Sequence, residues 1–217
     1  MGRLNATEEE LTYHVVDDRR AIRSPWGKGN SKIGAGIYTY SRLPGRLQTC
    51  PGSTDLCEEV CYSKRITFNP ILSNWMWENT VRPDVPPLPA DAKVVRIHVS
   101  GDFNTVEYVC AWIAACKGRP DVAFFAYTRS WRVPLLWHYL EGLKLLPNVQ
   151  LFASMDRSTL EAAPRGWRCA WLGAGFGITC PEEVGKKENC ETCTYCFRGK
   201  RGDVVFPIHG EGAKDGD

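Results

Sequence analysis

Seven of the ten cysteines of this chain lie in two polar segments, and their spacing is typical of metal ligands. The C-terminal segment reads CPEEVGKKENCETCTYC and supplies Cys180, Cys190, Cys193 and Cys196. The C-x2-C-x2-C spacing of the last three is the tight loop spacing of ferredoxin-type [4Fe–4S] ligation, in which soft sulfur ligands suit iron. The segment therefore predicts an iron–sulfur cluster. Structural zinc is the alternative, although four-cysteine zinc sites usually show two separated C-x2-C pairs.

The other segment, TCPGSTDLCEEVCYSKR, contains three cysteines in a C-x6-C-x3-C spacing, namely Cys50, Cys57 and Cys61. Three thiolates on a [4Fe–4S] cluster leave one iron without a protein ligand, and such an iron can bind a small molecule directly. This group predicts a second, open cluster. The sequence leaves a different arrangement open, in which these three cysteines join others at one shared cluster or at a zinc ion.

The remaining cysteines, Cys110, Cys116 and Cys169, stand in or beside apolar stretches. Free cysteine in such surroundings usually packs as a small hydrophobe, so we expect all three to be buried. Disulfides are not expected, because a reducing cytosol does not keep them and a chain of this size does not depend on them.

Alternating strand and helix patterns must position these thiols. The hydrophobic periodicity predicts strands over 94–100, 122–128 and 149–154, helices over 105–116 and 133–146, a short helix near 158–163 and an apolar run over 169–177. Alternation with short connections indicates an α/β fold, which we expect to be a partial or complete parallel β/α barrel. The cysteine-rich C-terminal loop would close over the carboxyl ends of its strands.

The chain is long enough for one core, since it has 217 residues of which 43% are hydrophobic. We predict one α/β iron–sulfur domain over residues 30–217, preceded by an N-terminal extension over 1–29. Neither a run of 18 apolar residues nor a signal-peptide pattern occurs, so we expect a soluble cytoplasmic protein without a membrane partner. The 27 basic and 25 acidic residues form no block of like charge, and global charge names no partner.

Polar residues follow each of the three predicted strands, and parallel strands bring their carboxyl ends to one edge. These residues are Ser100-Gly101-Asp102, Tyr127-Thr128-Arg129-Ser130 and Ser154-Met155-Asp156. They predict one polar cleft, although strand ends also become polar simply where they meet water. By period-two alternation Arg96 and His98 share a face of the first strand. A hydrogen-bonded core histidine is favoured there over a ligand.

Several stretches resemble the bacteriophage gene product 88 family, and the match covers most of the chain. They are GNSKIG from Gly29, TCPG from Thr49, CY at Cys61-Tyr62, VVRIHVSGDF and FFAYTRSW. The family's arrangement is similar to that of radical S-adenosylmethionine (SAM) enzymes, in which cysteines precede a partial β/α barrel. The usual cysteine loop of that superfamily is C-x3-C-x2-C, and this chain differs from it in both intervals.

The resemblance implies roles for particular residues. Cys50, Cys57 and Cys61 would hold a reducible cluster that binds SAM, and the C-terminal cluster would be auxiliary. Ser100, Gly101 and Asp102 fall where such enzymes contact the methionine group, and Asn30, Ser31 and Lys32 would form a loop at the site. Asp102 and Arg129 would be catalytic residues that orient the ligand or an unidentified small-molecule or macromolecular substrate.

A function of another class stays open. The chain would then be a non-enzymatic iron–sulfur or zinc protein that senses redox state or binds nucleic acid or protein. Basic residues flank the C-terminal cysteines at Lys186-Lys187 and Arg198-Gly199-Lys200-Arg201, and phosphate contacts by such residues give salt-dependent binding. These residues are more often a solvated face. An open iron is what separates the two functions.

Overall fold

A computed structural model describes residues 24–82, 84–198 and 202–208. Eight strands form one sheet in the order β1-β2-β3-β4-β5-β6-β8-β7. All neighbours are parallel except β1 and β2, which are antiparallel. The strands are β1 Gly27–Lys28, β2 Ile37–Thr39, β3 Val94–Ile97, β4 Ala123–Thr128, β5 Val149–Met155, β6 Arg168–Leu172, β7 Ile178–Thr179 and β8 Val204–Phe206. The predicted α/β class is confirmed.

Helices connect the central strands as the periodicity predicts. They are α1 Asp55–Glu59, α2 Tyr62–Ile66, α3 Pro70–Val81, α4 Val106–Gly118, α5 Pro134–Lys144 and α6 Cys190–Cys193, with a 3-10 turn at Ser130–Arg132. Thr105 caps α4 by accepting from the Tyr108 N–H, and Pro134 occupies the first turn of α5, where its missing N–H costs nothing. The sequence patterns did not indicate α1 to α3.

The central strands are buried on both faces, which is why they are almost continuously apolar. On one face Val95, Ile97 and Phe124 join the main core, which includes buried residues of α4 and α5. On the other face Phe125 packs with Phe197 and the cysteine segment of the C-terminus. Helices α4 and α5 therefore cover one side of the sheet, and the C-terminal cysteine segment packs on the other.

Three expectations about local structure need correction or limits. The prediction of a helix near 158–163 is wrong. The Asp156 carboxylate accepts a hydrogen bond from the Ser158 N–H at 2.7 Å, and this local bond competes with helix formation. Cys116 and Cys169 are buried as predicted, but Cys110 is exposed on α4. The predicted extension lies mostly outside the described residues. Its last six residues, 24–29, belong to the fold, because Trp26 is in the main core.

Arg96 and His98 do not share a face, contrary to the alternation rule. His98 adopts a left-handed backbone with φ 63, which ends the regular alternation after β3. Its ring packs among Phe103, Tyr108 and Trp112 and shares a 2.9 Å hydrogen bond with the Tyr108 hydroxyl. Burial lowers the pKa of His98 well below its usual value, so a neutral core histidine is present. The Arg96 guanidinium lies instead 5.3 Å from the Tyr127 ring centre, on the cysteine side.

Candidate functional site

A cavity of about 680 Å³ opens at the carboxyl edge of the sheet. Its walls include the residues that follow β3 and β4 and the ends of β5, β6 and β8. All seven cysteines of the two polar segments line this cavity, namely Cys50, Cys57, Cys61, Cys180, Cys190, Cys193 and Cys196. Cys110, Cys116 and Cys169 do not line it. The fold thus sorts the ten thiols as their sequence context suggests.

The first cysteine segment is tied to the ends of β3 and β4 by backbone contacts. Thr49 Oγ1 donates to the Leu43 carbonyl at 2.6 Å and accepts from the Asp102 N–H at 3.3 Å. A side chain at Gly52 would collide with the Arg129 carbonyl, so only glycine permits this close approach. The TCPG stretch therefore places Cys50 against the strand ends.

A substitution at Gly101 would test this close packing. It has φ 83, and a Cβ there would lie 2.7 Å from Thr49 Oγ1 and 2.9 Å from Arg42 Cβ. We expect Gly101→Ala to lower the free energy of unfolding by about 1–2 kcal/mol from the backbone alone. Chemical denaturation measures the change.

The matched control is Gly142→Ala in the interior of α5. A Cβ there would meet Ile113 Cδ1 at 3.7 Å, an ordinary contact. The control should stabilise the protein by about 0.5–1 kcal/mol, because alanine is the better helix former. Equal effects of the two substitutions would contradict the close packing of Gly101.

Two short helices position the next two thiols of the first segment. Thr54 caps α1 by accepting from the Cys57 N–H at 3.1 Å, and Cys61 stands at the start of α2. The Tyr62 hydroxyl donates to the Val99 carbonyl at 2.8 Å, which fixes α2 to the end of β3. The Gly45 N–H donates to Cys50 Sγ at 3.4 Å. The three thiols are thus presented from one folded segment.

The second cysteine segment owes its shape to a capped turn. The Asn189 side chain accepts from the Thr192 N–H at 2.9 Å, and the Thr192 side chain completes a capping box. Thr194 then takes a left-handed conformation with φ 59 and ends α6. This reversal, typical of helix ends, returns the chain so that Cys196 lies near Cys190 and Cys193. Cys180 is held separately, where its N–H donates to the Val205 carbonyl at 2.8 Å.

The loop around Lys32 docks this second segment. The carbonyls of Lys32 and Ile33 accept from the Cys190 and Glu191 N–H groups at 2.9 and 3.1 Å. The Lys32 ammonium pairs with Glu183 at 3.4 Å, and its side chain is 53% exposed. Lys32 therefore lies at the cavity as expected, and its backbone makes the structural contact with the cysteine segment.

The thiols fall into two electrostatic groups. Burial raises the pKa of Cys50 and Cys190 to about 12 and that of Cys196 to about 11. Within the first segment, Cys57 contributes to the raised pKa of Cys50, and Cys61 to that of Cys57. Within the second segment, Cys180 and Cys193 contribute to the raised pKa of Cys196. Cys50, Cys190 and Cys196 are therefore neutral thiols at pH 7, and a metal that binds them must displace their protons.

Asp102 joins the ends of β3 and β4. Its carboxylate accepts from the Phe103 N–H, the Thr128 hydroxyl and the Arg129 N–H at 2.6–2.8 Å. Burial nevertheless raises its pKa to about 6. Ser100 Oγ donates to the Arg42 carbonyl at 2.9 Å. Ser100, Gly101 and Asp102 thus line the cavity together, with Asp102 committed to holding the two strand ends.

Arg129 and Asp156 form a buried ion pair behind the first cysteine segment. Arg129 Nη2 lies 2.7 Å from Asp156 Oδ2, and the two side chains are 8% and 0% exposed. Thr54 Oγ1 also donates to Asp156 Oδ2 at 2.6 Å, which ties the start of α1 to the end of β5. The Arg129 guanidinium acts to lower the pKa of Cys57, although burial raises that pKa more. Arg129 Nη1 is buried without a hydrogen-bond partner.

Sequence reasoning missed two features of this cavity. Arg96 projects into it from β3, and its Nε is buried without a hydrogen-bond partner. The sequence shows Thr54 only as part of a cysteine segment, although its hydroxyl donates to Asp156 Oδ2. The sequence signal that could have identified the role of Arg96 is an arginine in the middle of an apolar strand. Nothing in the sequence pointed to the second, because its partner lies 102 residues away.

Across 24–82, 84–198 and 202–208, no group of three or more His, Cys, Asp or Glu side chains is close enough to hold one metal ion. No helix in the same part of the chain has the length and apolar character needed to cross a membrane.

The fold and the site define a class: an α/β protein with seven cysteines around one cavity at the carboxyl edge of a mostly parallel sheet. The model of the gene product 88 family matches residues 16–199, so the chain belongs to that family, and the resemblance seen in the sequence is confirmed.

Two relatives are phage proteins. The gene 88 protein of Mycobacterium phage L5 is 27% identical over 220 residues, and that of Mycobacterium phage D29 is 27% identical over 221 residues. Each alignment covers 82% of this chain and 89% of the relative. No solved structure matches the chain significantly.

Proposed function

We propose that this protein binds iron–sulfur clusters through its two cysteine groups and acts as a radical-SAM-like enzyme on a substrate that enters the cavity. One observation carries the proposal. The seven cysteines of the two polar segments line one cavity, whereas the other three lie on an exposed helix face, in the core and in a buried strand. A purely structural use of cysteine would not require this sorting.

The chemical type of the donors suits iron–sulfur clusters. Thiolates are the ligands that such clusters prefer, and the cavity presents two groups of them, of three and of four. Backbone N–H groups near the sulfurs are typical of cluster sites, and Gly45 donates one to Cys50. Burial raises the pKa of Cys180, and the amides of Glu183 and Glu182 oppose that rise in part. Apolar walls that include Ile33, Leu172 and Phe206 would keep water from the site.

The three-cysteine group suits an open site. Cys50, Cys57 and Cys61 would hold a [4Fe–4S] cluster in which one iron has no protein ligand and could bind a small molecule. With SAM bound, such a cluster supplies the electron that cleaves the sulfonium bond and starts hydrogen abstraction. The protein's own residues do the positioning: Asp102 fixes the β3 and β4 ends through three hydrogen bonds, and Arg129 lies beside Cys57.

The strand order supports a partial barrel as the finer architecture. β2 to β6 follow one another in sequence, and α4 and α5 pack on the same face of the sheet. Consecutive parallel strands with helices on one face are the arrangement of β/α barrels, whose active sites lie at the carboxyl ends of the strands. In this proposal the two cysteine segments cover the concave face and enclose the site.

The test is iron and acid-labile sulfide per chain in anaerobically purified protein, with EPR of the reduced sample before and after SAM is added. We expect about eight irons per chain, the content of two [4Fe–4S] clusters, and a spectrum that changes with SAM. About four irons without a response to SAM would contradict the enzyme and favour a non-enzymatic cluster protein. Zinc without sulfide would contradict both clusters.

A further inference from the structure

Arg96 is a cation in the cavity without an acidic partner. Three cationic side chains line the cavity in the described part of the chain: Lys32 pairs with Glu183 and Arg129 pairs with Asp156. Arg96 forms no ion pair within the described residues. Its Nε is buried without an acceptor. Arg96 as a whole is only partly buried, so the unsatisfied group is this one donor, and a buried donor without an acceptor is costly unless a ligand satisfies it.

Among the described residues no carboxylate lies within ion-pair distance of the Arg96 guanidinium, although Asp102, Glu182 and Glu183 line the same cavity. The titratable neighbours of Arg96 are the phenols of Tyr62 and Tyr127 and the thiols of Cys190 and Cys196. Tyr62 belongs to the first cysteine segment and Cys190 and Cys196 to the second, so Arg96 lies between the two. A guanidinium presents five N–H donors in a rigid fork, and thiols are weak acceptors that cannot satisfy it.

The space in front of Arg96 suits a small molecule. A cavity of about 680 Å³ lies in the range of ligand pockets, which are mostly apolar with a few placed polar groups. Arg129 Nη1 is a second buried donor without a partner at the same cavity. Both guanidinium groups thus keep hydrogen-bond capacity that the described protein groups do not use.

We infer that the cavity binds a small molecule through a carboxylate or phosphate group that pairs with Arg96. The planar fork of arginine recognises both anions bidentately, which explains why arginine and not lysine would stand there. The inference does not depend on the cysteines holding clusters. The anion is either the carboxylate of SAM or a group on a separate substrate, and the two sources are distinguishable.

The experiment measures thermal unfolding under anaerobic conditions with inorganic phosphate, citrate or SAM, against potassium chloride at equal ionic strength. We expect at least one of the three probes to stabilise the wild-type protein beyond chloride. Arg96→Met should weaken that binding about tenfold or more, and Arg96→Lys, which keeps the charge but loses the fork, should weaken it less. Lys144→Met removes a cation outside the cavity and should respond like the wild type.

The ligand-free variant supplies the second readout. Without a probe, Arg96→Met should be as stable as the wild type or more stable, because an uncompensated charge has been removed. Stabilisation by SAM alone identifies the anion as the SAM carboxylate, and stabilisation by phosphate or citrate identifies a separate anionic substrate.

Three outcomes would overturn the inference: no probe acts beyond chloride, Arg96→Met responds like the wild type, or Arg96→Met is strongly destabilised without ligand. Iron and sulfide are measured on the same samples. Absent iron with an intact anion response would therefore sink the cluster proposal and leave this inference standing.

Discussion

Replacing Cys57 by serine is expected to remove about four of roughly eight bound irons and to abolish the EPR change with SAM. The reason is that three thiolates are the minimum set of the open site, and serine is a poor ligand for iron. The C-terminal group should keep its iron, because the thiols that act on Cys190 and Cys196 belong to their own group, namely Cys180, Cys193 and Cys196. Iron, sulfide and EPR on anaerobic samples measure the change.

Cys193→Ser is the reciprocal change and should remove the other half of the iron. It should also lower stability, because ligation contributes folding free energy to a segment whose only helix, among its described residues, is the four-residue α6. Cys110→Ser is the matched control: its thiol is exposed on α4, outside the cavity, and its iron content should equal that of the wild type. Wild-type iron in both cavity variants would refute the ligand assignment. Loss of all iron in each would indicate one shared cluster.

Asp156→Ala is expected to lower the free energy of unfolding by about 3–5 kcal/mol. The substitution leaves the Arg129 guanidinium buried without its 2.7 Å partner and removes the acceptor of the Thr54 hydroxyl. Because Thr54 caps α1, which carries Cys57, the variant should also bind less iron in the first group. Equilibrium denaturation of the apo-protein measures the loss in the free energy of unfolding without the contribution of metal.

Glu161→Ala is the control for this prediction. Glu161 pairs with Arg132 at 2.8 Å, but its side chain is 44% exposed, so the loss should be about 1 kcal/mol or less. A similar cost for the two substitutions would mean that burial does not govern these pairs. A large cost at Asp156 with unchanged iron would show that the ion pair supports the fold without positioning the cysteines.

The regular centre of the fold could be predicted because it depends on local pattern. Alternating apolar runs of strand and helix length mark β3 to β5 with α4 and α5, and the structure has them at nearly the predicted bounds. The residues between Asp55 and Val81 gave no such pattern. Their helices α1 and α2 are only five residues long, too short for periodicity to identify them.

The errors have a common physical origin in contacts that periodicity does not see. The predicted helix after β5 is replaced by a turn because Asp156 bonds the backbone locally and pairs with Arg129 from β4's end. His98 leaves the face predicted for it because its left-handed backbone breaks the alternation. Cys110 lies on the outer side of α4, which an apolar helix sequence cannot reveal.

The sequence by itself determined the candidate ligands and the edge at which they would act. Cysteine spacing is a local property, and the polar residues after each strand reach one edge because parallel strands share their direction. Only the tertiary structure decided that both cysteine groups line the same cavity and that Asp102 serves to join two strand ends. It also decided that Arg96 stands between the groups without an ion-pair partner among the described residues. These facts depend on contacts between residues far apart in the chain. The tertiary structure alone decides whether a charged side chain there is paired or unpaired.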